Sequence, residues 1–231
     1  VATAPTLSVM AASGAEDTNL PLSISAGLVD TDGSETLSIL IDGLPAGASL
    51  SAGHRNADGS WSLAAADLSG LTLTPPAHWS GTFALTVSAI SAENGTTAVT
   101  QASLAVAVTG VATPPSLTVS PASGNEDTAI ALPLSAALVD TDGSETLSVV
   151  ISGLPTGATL SAGTQNPDGS WSLTPPQLGG LTITPPLHWS GNTNLTVTAI
   201  SNENGTTATT SASLPLTVDG VATAPSLSVS T

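Results

Sequence analysis

The sequence repeats itself with a long period. Near-identical nonapeptides, VATAPTLSV, VATPPSLTV and VATAPSLSV, open successive repeats 110 residues apart. A unit of this length can own a hydrophobic core, whereas the repeats of a solenoid are about 20–50 residues long. The period therefore predicts two independent domains, 1–110 and 111–220, followed by the start of a third at 221–231. We expect the chain to be an excerpt from a longer array of such domains.

Each repeat contains short stretches in which apolar and small polar residues alternate, the pattern of half-buried β-strands. In the first repeat the predicted strands are residues 6–9, 20–25, 36–41, 60–63, 71–74, 83–90 and 102–108. Asn94-Gly95 predicts a type I′ hairpin between the last two of them. About seven short strands in roughly 100 residues predict an all-β fold. We expect two tandem Ig-like β-sandwich domains in an extended end-to-end array.

The charge of the chain excludes several kinds of partner. Seventeen acidic residues face one basic residue, Arg55, and the formal net charge is −16. Binding to nucleic acid requires Lys and Arg, and an anionic membrane surface also repels such a chain. No apolar run approaches the ~18–20 residues of a membrane-spanning helix, so we expect no membrane insertion. We expect a monomer whose partners are the neighbouring repeats of its own chain, with no small-molecule substrate.

One acidic stretch occurs twice without change. LVDTDGSETLS stands at residues 28–38 and again at 138–148. It is neither an EF-hand loop nor a glycine-rich nonapeptide, and an ordinary Asp-Gly turn is the alternative interpretation, as it is for the lone Asp58. Three clustered carboxylates repel one another without a cation, and hard cations such as Ca²⁺ bind carboxylate oxygens. We therefore favour calcium over a plain turn.

The predicted strand order brings further acids together. If the strands run antiparallel, the loop of Asp30 and Asp32 and the hairpin of Glu93 lie at one end of the domain. Glu16 and Asp17 then lie at the other end, beside the last strand. We expect calcium at the junction of the repeats, with linker 109–115 supplying carbonyl oxygens because it has no acid. The predicted metal ligands are Glu16, Asp17, Asp30, Asp32, Glu93, Glu126, Asp127, Asp140, Asp142 and Glu203.

Catalysis finds little support in the sequence. No G-x-S-x-G nucleophile elbow stands between a strand and a helix, and we predict that the chain is not an enzyme. His78 and His188 occupy equivalent HWSG loops, while His54 is replaced by Thr164 in the second repeat. Zinc would require three or four convergent His or Cys ligands, so we interpret the histidines as structural loop residues.

The tryptophans allow two interpretations. Trp61 and Trp171 stand in strand patterns and are predicted to pack in the cores. Trp79 and Trp189 follow Pro-Pro in a loop, where they either plug a corner of the sandwich or form a platform for a sugar ring. A carbohydrate-binding Ig-like module that uses these two loops is therefore the alternative function. An accessory domain of a secreted enzyme is a third possibility.

The combined motif EDT…DTDGSETLS…GLPxGAxLSAG…DGSWSL…TPP…LTVxAIS…ENG resembles the tandem extender repeats of giant bacterial RTX adhesins. The resemblance covers both repeats. It implies a calcium-binding, type I secreted protein of the bacterial cell surface, with a role in cell adhesion and biofilm formation. The extender repeats would project a distal adhesive domain from the cell.

The arrangement of acids is also similar to that of cadherins, which implies a cadherin-like variant of the Ig-like sandwich. Cadherins place a Glu after the first strand, a D-x-D motif after the second and an acid in the last hairpin. Glu16 or Asp17, Asp140–Asp142 and Glu203 occupy the matching positions. The cadherin linker is acid-rich, whereas residues 109–115 contain no acid.

Overall fold

The structure is a computed structural model that describes residues 1–225 and 227. It contains two compact units, Val1–Val111 and the residues from Ala112 onward, each built almost entirely of β-strands. The predicted third repeat, 221–231, lies partly outside the described residues. No helix in the described part of the chain has the length and apolar character needed to span a bilayer.

Unit 1 consists of eleven strands and one 3₁₀ turn at Ala65–Leu68. Its strands are β1 (Thr6–Met10), β2 (Ala12–Ala15), β3 (Leu20–Pro21), β4 (Ser23–Gly27), β5 (Thr36–Asp42), β6 (Ser49–Leu50), β7 (His54–Arg55), β8 (Trp61–Ala64), β9 (Thr72–Thr74), β10 (Gly81–Glu93) and β11 (Thr96–Thr109). The largest sheet has the order β2-β11-β10-β5-β8-β7, and smaller sheets are formed by β1-β4 and β3-β9-β6. All pairs are antiparallel except β11 with β2.

Unit 2 repeats this topology, with a 3₁₀ turn at Pro175–Leu178. Its strands are β12 (Ser116–Val119), β13 (Ala122–Asn125), β14 (Ile130–Ala131), β15 (Leu134–Ala137), β16 (Thr146–Ser152), β17 (Thr159–Leu160), β18 (Thr164–Gln165), β19 (Trp171–Leu173), β20 (Thr182–Thr184), β21 (Gly191–Glu203) and β22 (Thr206–Asp219). Its sheets are β13-β22-β21-β16-β19-β18, β12-β15 and β14-β20-β17. The chain thus forms two Ig-like, cadherin-like β-sandwich domains, which confirms the predicted fold class.

Alternation along the strands builds the core of each unit. On β10, Leu85, Val87 and Ala89 are completely buried, while Thr86 between them is exposed and Ser88 is buried on the opposite face of the sheet. Leu104 and Val106 on the paired β11 are buried on the same face. This period of two is the one that identified the strands in the sequence. The core is aliphatic, and half-buried tryptophans pack around it.

The hairpin between the two longest strands forms as predicted. Asn94 and Gly95 both have positive φ angles, 44° and 77°, which a type I′ turn requires at its two central positions. Asn204 and Gly205 do the same in unit 2, with φ angles of 47° and 83°. The hairpin therefore fixes Glu93 and Glu203 as the last strand residues before each turn.

Some strand boundaries differ from the prediction. The predicted strand at residues 20–25 is two strands, because Leu20–Pro21 pairs with β9 whereas Ser23–Gly27 pairs with β1 in another sheet. Strand β2 was missed, since its sequence ASGA has no apolar alternation. Packing explains the glycine at position 14 of this strand, because a Cβ there would lie only 3.1 Å from Leu20 Cγ.

Candidate metal centre

Two connections of unit 2 bring its acids to one end of the sandwich. The first joins β15 to β16 and carries Asp140, Asp142 and Glu145, and the second is the hairpin after Glu203. Thr146 pairs with Asn202, so the residues just outside this pair, Glu145 and Glu203, are neighbours across the strands. We call this end the hairpin pole of each unit.

Hydrogen bonds from backbone amides to aspartate side chains shape the acidic loop at 140–144. Asp140 Oδ1 accepts a bond from the Asp142 amide at 2.9 Å. Asp142 Oδ1 accepts bonds from the Ser144 amide at 2.7 Å and from the Ser144 hydroxyl at 2.5 Å. Gly143 supplies the left-handed step with φ of 98°. The Asp-x-Asp-Gly spacing therefore builds a compact double turn.

Three carboxylates of this pole are buried together. Asp140 and Glu203 are each 1% exposed and Glu145 is 7% exposed. One oxygen from each lies within 4.8 Å of the other two. Within residues 1–225 and 227, Asp140 Oδ2, Glu145 Oε2 and both oxygens of Glu203 accept no hydrogen bond. Buried, converging and unpartnered carboxylates are energetically unfavourable unless a cation is bound.

Glu145 has a second, structural contact. Its Oε1 accepts a hydrogen bond from the amide of Thr113, where the chain enters unit 2. The Thr113 carbonyl in turn accepts a bond from the Ser201 hydroxyl at 2.6 Å, and the Ala112 amide donates to Thr206 Oγ1 at 2.9 Å. The first residues of the unit are thereby fixed beside the carboxylate cluster.

Unit 1 has the same residues at its hairpin pole in a more open arrangement. Glu35 is buried and its Oε1 accepts a bond from the Thr3 amide at 2.5 Å. Asp30 is only half-buried. Glu93 is partly buried, and its Oε1 accepts a hydrogen bond from the Ser34 hydroxyl at 3.1 Å.

Glu16 lies at the opposite pole of unit 1, as the strand order predicted. Its amide donates to the Thr109 carbonyl at 2.9 Å, and its Oε1 accepts a bond from the Val111 amide at 2.7 Å. Glu126 repeats both bonds in unit 2, at 2.8 Å to Asp219 and 2.7 Å from Val221. Each glutamate therefore fixes the backbone two residues after the last strand of its unit ends.

Asp17 and Asp127 point elsewhere. Asp17 has a φ of 54°, and its Oδ1 accepts a hydrogen bond from the His78 amide at 2.9 Å. Its Oδ2 lies 3.1 Å from His78 Nδ1. Asp127 makes the same contacts with His188, at 2.7 Å and 3.1 Å. Both oxygens of these carboxylates contact the HWSG loops, which fits the structural interpretation of the two histidines.

The lone turn acids behave differently from the cluster. Asp168 Oδ1 accepts hydrogen bonds from the Ser170 amide at 3.0 Å and from its hydroxyl at 2.7 Å. These two bonds lower the pKa of Asp168, and the bond from the hydroxyl has the larger effect. Asp58 has the same partners in Ser60, and its pKa is lowered for the same reason. Asp142 makes the same pair of bonds with Ser144, so the difference is that neither Asp58 nor Asp168 belongs to a group of three converging acids within the described residues.

Glu35 and Glu145, the third acids of the repeated acidic stretch, were not among the predicted metal ligands. Each stands immediately before the first residue of a strand that pairs with the hairpin strand. That position, directly across from Glu93 or Glu203, is the signal that identifies them.

Comparison with known proteins gives distant structural likenesses. No protein-family model and no curated protein matches the sequence. Solved structures that are similar include the titin domains z1z2 in complex with telethonin, with 15% identity, a TM-score of 0.38, and coverage of 96% of this chain and 100% of that one. The D00-D0 domain of intimin has 14% identity, a TM-score of 0.33, and coverage of 92% and 98%. Drosophila N-cadherin EC1-3 has 16% identity, a TM-score of 0.30, and coverage of 92% and 65%. With such scores, the fold assignment rests on the strand topology described above.

Proposed function

We propose that the hairpin pole of each unit binds calcium, and that Asp140, Glu145 and Glu203 are ligands in unit 2. The observation that carries this proposal is a group of three buried carboxylates, one oxygen of each within 4.8 Å of the other two. Together they keep four buried oxygens without a hydrogen-bond partner among the described residues. An all-oxygen, carboxylate-rich set that is irregular in geometry suits Ca²⁺, which takes six to eight oxygen ligands. Asp142, on the same loop, is a further ligand in this proposal.

The proposed role of calcium is mechanical. Within unit 1, Glu16 holds the amide of Val111, and within unit 2, Glu145 holds the amide of Thr113. Acidic residues therefore already contact the backbone of the linker, 109–115. A cation bound at the hairpin pole of unit 2, where Glu145 holds Thr113, would restrict the linker. We propose that the chain is a structural extender module of a cell-surface adhesin, in which calcium stiffens successive repeats.

The remaining predicted ligands differ in the contacts that their carboxylate oxygens already make. Asp30, Asp32 and Glu93 repeat the hairpin pole in unit 1, while Glu16 and Glu126 each have one oxygen engaged with a backbone amide. Asp17 and Asp127 are the weakest candidates, because His78 and His188 occupy both of their oxygens.

The proposed location is extracellular, on a bacterial cell surface reached by type I secretion, as the resemblance to RTX adhesins implies. Extracellular calcium modules bind with dissociation constants of about 10⁻⁴–10⁻³ M. Such sites fill outside the cell and stay largely empty in the cytosol. The chain would then be exported in a flexible form and stiffen afterwards.

Calorimetric titration tests the ligand assignment. Replacing Asp140 and Asp142 together by Asn should weaken calcium binding by at least tenfold at one site. The matched control is Asp58→Asn, which removes an acid from a self-satisfied turn and should leave the affinity unchanged. Equal losses in the two variants would refute the assignment.

Small-angle scattering tests the mechanical role separately. We expect the pair-distance distribution of the full chain to sharpen in millimolar calcium and to broaden when a chelator is added. A profile that does not respond to the chelator, in a protein that titration shows to bind calcium, would reject calcium as the stiffening element while leaving the binding site in place.

A further inference from the structure

Unit 2 has a cleft of about 600 Å³ at the end opposite its hairpin pole. One wall is the GLPT loop at 153–156, and the other is formed by the loop that carries Pro186 and Trp189. The first residues of β21, Asn192 and Thr193, complete the lining. The cleft thus combines an indole and proline rings with a hydroxyl and an amide.

The walls of this cleft are held in place before any ligand binds. The Trp189 amide donates a hydrogen bond to the Pro186 carbonyl at 3.0 Å. His188, between them, has a φ of 57° and is anchored to Asp127 through its backbone amide. One part of the Trp189 ring packs against the hydrophobic core, and the side chain remains partly exposed. A fixed, partly exposed indole binds a ligand without a large cost in side-chain entropy.

Unit 1 differs at one position beside the indole. Phe83 occupies the place of Thr193, and its ring centroid lies 5.7 Å from that of Trp79 in an edge-to-face contact. In unit 2 the smaller Thr193 stands at this position, and its hydroxyl lies 3.5 Å from the Gly153 carbonyl oxygen. The replacement of an aromatic ring by a hydroxyl therefore places a polar group in the lining of the cleft beside Trp189.

We propose that this cleft binds a neutral pyranose unit of a polysaccharide. The apolar C–H face of a sugar ring fits against an indole, and its hydroxyl groups need donors and acceptors at the rim, which Thr193, Asn192 and the loop backbone provide. Small-molecule sites have this composition of apolar walls with a few placed polar groups. The net charge of −16 disfavours sulfated or sialylated glycans. The proposed site lies in the second repeat.

The test uses the full chain on an array of neutral oligosaccharides (glucans, galactans and mannans), with sulfated and sialylated glycans and proline-rich peptides on the same surface. We expect binding to a neutral class. Thr193→Phe, which copies the residue of unit 1, should weaken it at least tenfold, and Trp189→Ala should do the same. Trp79→Ala is the matched control in unit 1 and should leave binding unchanged.

The reciprocal variant Phe83→Thr should raise the number of sugars bound per chain from one to two. Absence of binding to every neutral glycan, preferential binding of a proline-rich peptide, or equal losses in Trp79→Ala and Trp189→Ala would overturn the proposal. Because Thr193→Phe adds apolar contacts near the core, calorimetric unfolding should show that unit 2 stays folded. Repeating the array in chelator separates this site from the calcium site.

Discussion

Neutralising Glu203 should have opposite effects in the presence and absence of calcium. In Glu203→Gln the shape of the side chain is kept, and no hydrogen bond is lost, because neither oxygen of Glu203 has a hydrogen-bond partner within the described residues. The variant removes one charge from a cluster whose other members are Asp140 and Glu145. Without calcium it relieves repulsion, and with calcium it removes a ligand.

The geometry sets the size of both effects. Two like charges no more than 4.8 Å apart repel by at least about 3.5 kcal/mol at an effective dielectric constant of about 20. Water entry and side-chain rearrangement reduce this cost, so we expect the calcium-free variant to gain about 2 kcal/mol. Calcium at 10 mM with a dissociation constant of about 10⁻⁴ M stabilises the wild type by about 2.7 kcal/mol, which the variant loses. Each kcal/mol shifts the melting temperature of a domain of about 100 residues by about 4–8 °C.

Differential scanning calorimetry of the full chain measures these shifts, and hydrogen exchange of β21 assigns them to unit 2. We expect Glu203→Gln to melt about 10 °C above the wild type in chelator and to respond less to calcium than the wild type does. Asp168→Asn, in a turn of the same unit, should lower the melting temperature equally in both conditions. A Glu203→Gln variant that is destabilised in chelator would refute the view that these carboxylates repel one another.

Three further predictions concern stability. Leu195 is fully buried, so Leu195→Ala should cost about 2–5 kcal/mol in urea unfolding, and a loss under 1 kcal/mol would contradict the described core. Gly153→Ala should lower the free energy of unfolding by about 1–3 kcal/mol more than Gly143→Ala does. A Cβ at Gly153 would lie 2.8 Å from a backbone carbonyl oxygen of β21, whereas Gly143 faces open space. Equal melting temperatures of the two variants would contradict this. The pKa of Asp168 is lowered by its bonds to Ser170. Its contribution to stability is therefore present above about pH 4 and is lost as the pH falls through the lowered pKa. In Asp168→Asn the melting temperature should fall less steeply with decreasing pH over that range.

Local patterns were sufficient to predict the sandwich but not its sheet edges. The Asn94-Gly95 turn and the alternation of β10 and β11 follow from short-range preferences, which the sequence displays directly. The break after Pro21 does not, because it depends on which sheet each half of the segment joins. Strand β2 is similarly invisible, since Gly14 is selected by the bulk of Leu20 across the sandwich and carries no strand preference of its own.

The candidate site was predictable in outline for a related reason. The Asp-x-Asp-Gly turn and the hairpin acid follow from strand order alone, so the gathering of Asp140 and Glu203 at one end could be reasoned from the sequence. The part played by Glu145 required the register between β16 and β21. The engagement of Asp127 with His188 required the left-handed backbone at both residues, which the sequence did not reveal.

The hydrogen bonds of Glu145 explain why a carboxylate, and not an amide, at this position supports the proposed cation site. Its Oε1 accepts the Thr113 amide, a contact that glutamine would make equally well without burying a charge. Its Oε2 remains buried and without a hydrogen bond within the described part of the chain. A domain that needed only the clamp on Thr113 would be more stable with the amide, because an uncompensated buried charge is costly. Glu35 holds Thr3 in the same way in unit 1, so the chain keeps this costly carboxylate in both repeats. A metal ligand must carry negative charge, so the presence of Glu rather than Gln at both positions supports the proposal that the repeated acidic stretch binds calcium.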